Sequence, residues 1–139
     1  MAEPVDVANA RSLALVGNYE DALGLLEKHL MADPHDADAL LLKGNTLELF
    51  AYAPMLADEL SYLNCQELAQ AKNCYELILV VEPDHVNAMC DLANLYKAAS
   101  DEAKCFALLK AAESVLLQDP LTNADALAEL RDEIRDAIP

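Results

Sequence analysis

The chain has 139 residues, enough for one domain with a continuous core, and 55% of them are hydrophobic, which argues against disorder. Its 25 acidic and 9 basic residues leave a net charge of −16, which repels nucleic-acid phosphates and anionic membrane surfaces. Those acids either attract a basic partner or simply keep an apolar-rich surface in solution.

Alanine and leucine dominate and glycine is scarce, a composition that favours helix. No run approaches the roughly 18 uninterrupted apolar residues of a membrane span. The opening MAEPVDVANARS lacks the basic-then-apolar order of a signal peptide. A first helix is expected from Val5 to Val16, with Pro4 suited to its opening turn and Gly17-Asn18 ending it. A second runs from Tyr19 to Met31, with Ala22, Leu23, Leu25, Leu26 and Leu30 at helical spacing. The turn Asp33-Pro34-His35-Asp36 then caps a third helix from Ala37 to Phe50.

At Ala51–Cys65, AYAPMLADELSYLNC, the rhythm slips, and Pro54 interrupts the helix. Asn64 and Glu67 have the spacing of a capping box, and a helix from Cys65 to Val81 follows and closes at Glu82-Pro83. Leu56, Leu60 and Leu63 lie one helical turn apart, so the slipped segment is either a short extra helix or the start of one long helix from Met55 to Val81. Val86 to Ala98 makes the next helix. Ser100 and Asp101 cap another that runs to Leu117 and ends at Asp119-Pro120. The tail from Asn123 to Ile138 is amphipathic. Ala126, Leu127, Leu130, Ile134 and Ile138 share one side, and Asp125, Glu129, Arg131, Asp132, Glu133 and Asp136 share the other.

Pro34, Pro83 and Pro120 each follow an acid and each close an apolar helical run. Their intervals are about 49 and 37 residues, or a unit of about 34 plus about 15 and about 3. Within the units, small residues recur at Ala10, Gly44 and Ala93, with Leu13, Leu47 and Tyr96 one turn on. The first unit adds Gly17, Tyr19, Ala22, Leu26 and Pro34, and the second adds Leu40, Ala71, Tyr75 and Pro83. The third adds Met89 and Leu92, but its second helix is degenerate, with Leu108 and Ala112. These residues resemble the tetratricopeptide repeat family, from which Lys43 and Asp6 depart at apolar positions. The resemblance implies an all-α fold, a right-handed superhelical stack of three helix-turn-helix repeats with a C-terminal capping helix. The repeats would span about 3–36, 37–85 with the insertion 51–65, and 86–121. The cap would span about 123–138, all in a single domain 1–139.

Catalytic patterns are missing. Adjacent acids such as Asp58-Glu59 and Asp132-Glu133 point in different directions on a helix, and there is no glycine-rich phosphate loop or G-x-S-x-G. Asp33, His35, Asp36 and Asp38 have the chemistry of a metal site, but the turn-and-cap reading accounts for them without an ion, and Asp84-His85 recurs at the equivalent turn. Cys65, Cys74, Cys90 and Cys105 form no C-x-x-C and lie among apolar neighbours, the pattern of reduced thiols in a cytoplasmic protein. Neither catalysis, nor a cofactor, nor a metal is expected.

In the family resembled, the first helix of each repeat lines a concave groove. Here that implies Val7, Arg11 and Leu15, then Leu41, Asn45, Glu48 and Leu49, then Asn87, Cys90, Asn94 and Lys97. Asn45 and Asn94 share a repeat position and either offer a donor and an acceptor to a peptide backbone or are solvent-facing amides. Val7, Leu42 and Asp91 stand where chaperone-binding members need polar or basic residues to clamp a terminal carboxylate, which argues against that ligand. The function expected is binding of a peptide or helix from another protein, with no nucleic acid and no membrane. Alternatives are a small acidic secretion or assembly chaperone, or a structural homo-oligomer that uses the insertion. In that insertion Tyr52, Met55, Leu56 and Tyr62, with Leu60 and Leu63, are too apolar for an idle linker. They either add core or form partner surface.

Overall fold

The computed structural model describes residues 3–52 and 66–137, and among these it contains seven helices and no strand. In chain order they are α1 (Val5–Leu15), α2 (Tyr19–Ala32), α3 (Ala37–Tyr52), α4 (Gln66–Val81), α5 (Val86–Ala98), α6 (Glu102–Leu116) and α7 (Ala124–Ala137). Their bounds agree with the periodicity of apolar residues to within about two residues, the usual fraying of helix ends. Met55, Leu56, Leu60, Tyr62, Leu63, the cap residue Asn64 and Ile138 lie outside the described residues. Among the described residues no helix is long and apolar enough to cross a membrane.

The chain divides into two compact units, Met1–Val81 and Glu82–Pro139. In the first, α1 packs on α2, α2 on α3 and α3 on α4, and α1 also touches α3. Val7, Ala10, Ala14, Ala22, Leu26, Ala39 and Leu42 form one buried cluster, with Leu13, Leu25 and Leu30 packed against it. Tyr19 meets Phe50 edge to face at 6.3 Å between ring centres, which ties the start of α2 to the end of α3. The second hairpin of this unit buries Leu40, Leu47, Leu68, Ala71, Tyr75 and Ile78. Thr46 is buried in α3, but its hydroxyl donates to the Leu42 carbonyl at 2.7 Å and so stays satisfied.

In the second unit α5 packs on α6, and α6 on α7. Met89, Leu92, Ala93, Cys105, Leu109 and Ala112 are buried. Of the residues expected on this helix, Ala112 is buried and Leu108 half-buried, and Cys105 and Leu109 complete its buried face. On α7 the apolar stripe works as expected at Leu127, Leu130 and Ile134, all buried, but Ala126 is exposed. Burying each of those three large side chains stabilises the docked helix by roughly 1.5–3 kcal/mol. Glu113 of α6 accepts from Lys110 Nζ at 2.7 Å and from Arg131 Nε of α7 at 3.3 Å. The hydrogen bond from Lys110, then that from Arg131, holds its carboxyl below the usual carboxylate range.

The turns repeat as well. The Asp36 amide donates to the Asp33 carbonyl at 3.3 Å, and the His85 amide to the Glu82 carbonyl at 3.1 Å. Each turn then delivers a cap. Asp36 Oδ1 accepts from the Ala39 amide at 3.3 Å, and His85 Nδ1 from the Ala88 amide at 3.1 Å. Asp101 caps α6 in the same way, accepting from the Lys104 amide at 3.2 Å.

The two tight turns inside hairpins share a different device. After α1, Gly17 is left-handed at φ 86°, its amide donates to the Ala14 carbonyl, and the Asn18 amide donates to the Leu13 carbonyl. After α5, Ser100 takes the same place at φ 64°, with Ser100 donating to Lys97 and Asp101 to Tyr96. A Cβ in this conformation costs about 1–2 kcal/mol. No atom outside the turn crowds Gly17, so the cost at that position comes from backbone alone. Gly17→Ala is expected to lower stability to urea by about 1 kcal/mol. Ser100→Gly is expected to raise it by less, because glycine also loosens the unfolded chain. A neutral Gly17→Ala together with a destabilising Ser100→Gly would contradict this reading of the turns.

Candidate functional site

Helix α3 is covered on most of its circumference. Ala39, Leu40, Leu42, Gly44, Thr46, Leu47 and Ala51 are all buried. At 100° per residue, Asp38, Leu41, Asn45, Glu48 and Leu49 fall on one broad stripe that is accessible among the described residues, while Lys43 and Phe50 are half-buried on the other side. Asp38 and Leu49 are exposed, and Leu41, Asn45 and Glu48 are half-buried. Four of these five, Leu41, Asn45, Glu48 and Leu49, are groove residues implied by the repeat register.

The polar part of this stripe is fixed from behind. Tyr75 of α4 is fully buried, and its ring lies against the α3 backbone at Gly44. A Cβ at position 44 would stand 2.5 Å from Tyr75 Cε1 and 2.9 Å from Cζ, so only glycine fits under the ring. The ring lies beneath α3, and its buried hydroxyl reaches Asn45 and Glu48 of the stripe from below. There it donates to Asn45 Oδ1 at 2.8 Å and also to Glu48 Oε2. One hydroxyl hydrogen serves one acceptor at a time, so the phenol bridges an amide and a carboxylate held side by side. Sequence spacing identified Tyr75 only as the large packing residue of its repeat. The available signal was tyrosine rather than phenylalanine at a buried position, since a buried phenol needs a polar partner.

The corresponding positions on the other first helices differ. On α1, Val7 is 1% exposed and belongs to the core, so it does not line an open face. Arg11 is exposed and donates from Nη2 to Glu3 Oε1 at 2.6 Å. That hydrogen bond, and to a lesser extent the charges of Glu3 and Asp38, raises its pKa further. Leu15 is 83% exposed at the helix end. In the second unit, Asn87, Asn94 and Lys97 are exposed on α5 and Cys90 is half-buried. Asn45 and Asn94 share a register position but not a role, because Asn45 is engaged by Tyr75. Of the insertion residues, Tyr52 ends α3, while Met55, Leu56 and Tyr62 lie outside the described residues.

The acidic turn assembles a different set from the one its spacing suggested. Ligand atoms of His29, Asp33 and Asp36 lie within 4.8 Å of one another, and His35 and Asp38 are not in this group. His29 Nε2 lies 2.7 Å from Asp36 Oδ2, while Asp36 Oδ1 caps α3. One carboxylate thus links the last turn of α2 to the first turn of α3, and this accounts for the cluster without an ion. On the side of α3 opposite the stripe, a cavity of about 250 Å³ is lined by Leu40, Lys43, Gln70, Asn73, Cys74 and Leu77. No protein-family model matches the chain, and no curated protein does so either.

The described thiols are not activated. Burial pushes Cys74 up, with Lys43 partly opposing it. Cys90 is pushed up to about 11 by burial, with Glu133 and Asp91 adding to it. Burial is also the main cause of the rise at Cys105. A thiol attacks as the thiolate, so each is a poorer nucleophile than a free cysteine. At pH 8 iodoacetamide is expected to label Cys74, Cys90 and Cys105 slowly in the folded protein and rapidly in urea, followed per cysteine by mass spectrometry. Labelling of any of the three as fast in the folded protein as in urea would contradict this.

Proposed function

We propose that this chain is a non-catalytic interaction module of the tetratricopeptide-like kind, and that the accessible stripe of α3 takes a peptide or helix from a partner protein. One observation carries the reading: α3 is buried on most sides, yet it keeps one face that alternates leucine with fixed polar groups. Leu41 and Leu49 offer apolar contact, and Asn45 and Glu48 between them offer hydrogen bonds whose geometry is set by Tyr75. Leu49 is 46% exposed and so is available to a partner. The recurring register of small and large buried residues, with the repeated proline turns, supports the family resemblance.

The net charge of −16 favours basic partners by long-range attraction. A peptide-display selection against the folded protein is expected to yield binders whose affinity falls about tenfold in the double variant Leu41→Ser, Leu49→Ser. Circular dichroism melts should show that variant to be folded, because neither leucine is in the buried core. Binders indifferent to both changes would move the binding face elsewhere. A mass that rises with concentration in light scattering would favour the homo-oligomer instead.

A further inference from the structure

We infer that the cavity between α3 and α4 is a binding site for a small organic carboxylate that carries a short aliphatic chain. The inference is independent of the α3 stripe, because the cavity lies on the other side of that helix. Two helix faces build it. Leu40 and Lys43 stand one turn apart on α3, and Gln70, Asn73, Cys74 and Leu77 follow the spacing of a single face of α4. The lining divides by chemistry. Leu40 and Cys74 are buried and Leu77 is half-buried, which makes an apolar base, while Gln70 and Asn73 are exposed amides.

Lys43 supplies the charge. Apart from Lys43 and the exposed Lys97, every lysine and arginine has a carboxylate oxygen within 4.0 Å. Lys43 is half-buried and has no ion pair or hydrogen bond among the described residues, although the chain holds 25 acids to 9 bases. An ammonium partly withdrawn from water carries a desolvation cost that a bound anion offsets. Burial pushes the Cys74 thiol up and the charge of Lys43 opposes that rise, whereas at Cys90 the charges of Glu133 and Asp91 reinforce it. The wall of the cavity is thus locally cationic in a strongly acidic protein.

The lining selects the ligand. One ammonium balances the single charge of a carboxylate but not the roughly two charges of a phosphate monoester. The amides of Gln70 and Asn73 have no hydrogen bond among the described residues, and each offers two N–H donors to the carboxylate lone pairs that Lys43 leaves open. The volume of about 250 Å³ falls below the roughly 300–1,000 Å³ of sites for drug-sized ligands, so it takes a chain of a few carbons and not a peptide.

The test titrates the nitrogen-15-labelled full chain with sodium hexanoate at constant ionic strength and follows amide chemical shifts. Saturable binding with a Kd of about a millimolar is expected, with the largest shifts around Lys43 and Cys74. Hexanamide, which has the same chain and no charge, should bind about tenfold more weakly. Lys43→Met keeps the apolar stem and should weaken hexanoate about tenfold, while Lys43→Arg retains it. Gln70→Glu, at an exposed position that the fold does not depend on, should weaken it by a similar factor through repulsion. Equal affinity for hexanoate and hexanamide, affinity that both Lys43→Met and Gln70→Glu leave intact, or no saturable shift at the cavity overturns the carboxylate site. A capped peptide with one central glutamate that binds there more tightly than hexanoate also overturns it, by assigning the cavity to a protein partner.

Discussion

Tyr75 and Gly44 set the closest approach in the second hairpin, and the rest of that hairpin follows from it. The phenol ring occupies the space in which any side chain at position 44 would stand, with 2.5 Å from the Cβ position to Cε1. Helix α4 therefore lies close under α3, and its Ala71, Cys74 and Ile78 are buried as well. The other two hairpins solve the same problem with smaller partners. Ala10 shares its register with Leu26, and Ala93 with Leu109, and all four are buried. Glycine with tyrosine and alanine with leucine fill similar space by moving bulk from one helix to the other. Only the tyrosine version carries a hydroxyl, and it reaches Asn45 and Glu48 of α3. A packing solution thus becomes a polar feature on the accessible face.

Charge contributes to this protein mainly through its surface. The ion pairs Arg11–Glu3, Lys110–Glu113 and Arg135–Asp132 are at least partly exposed, and pairs of this kind are typically worth about 0–1 kcal/mol. The helices are held by apolar burial and by caps, and the surplus of acid shapes what approaches them. Asp36, like the cap Asp101, is an acid with a structural task. It caps α3 and binds His29 with its second oxygen, so the turn between the first two hairpins is closed by one side chain.

Much of the fold was legible because helix periodicity and turn residues act locally. The apolar rhythm placed seven helices, and the acid-proline turns at Asp33 and Glu82 gave the same backbone bond in both places. The illegible parts depend on contacts distant in sequence or on an unusual residue in a known role. Ser100 takes the left-handed position that glycine takes at 17, and serine gives no signal of that. On α6 only Leu108 and Ala112 were legible, and the buried Cys105 and Leu109 were not. His29 joins Asp36 across a turn, seven residues away, while spacing alone favoured His35. On the candidate site, the stripe of α3 was readable from repeat register. The Tyr75 bridge was not, because it links positions 30 and 27 residues apart.

Gly44 and Tyr75 form one packing unit, and a double-mutant cycle tests this most directly. Gly44→Ala, Tyr75→Leu and the double variant would be compared with the parent by urea unfolding. The double variant gives the second hairpin the alanine–leucine pair that the other two hairpins already have. Gly44→Ala alone should cost about 1–3 kcal/mol through overpacking, and much of that cost should vanish when leucine replaces the tyrosine. A coupling energy of about 1–3 kcal/mol is therefore predicted. Costs that add to within about 0.5 kcal/mol would show that the two residues act independently, and the account would fail.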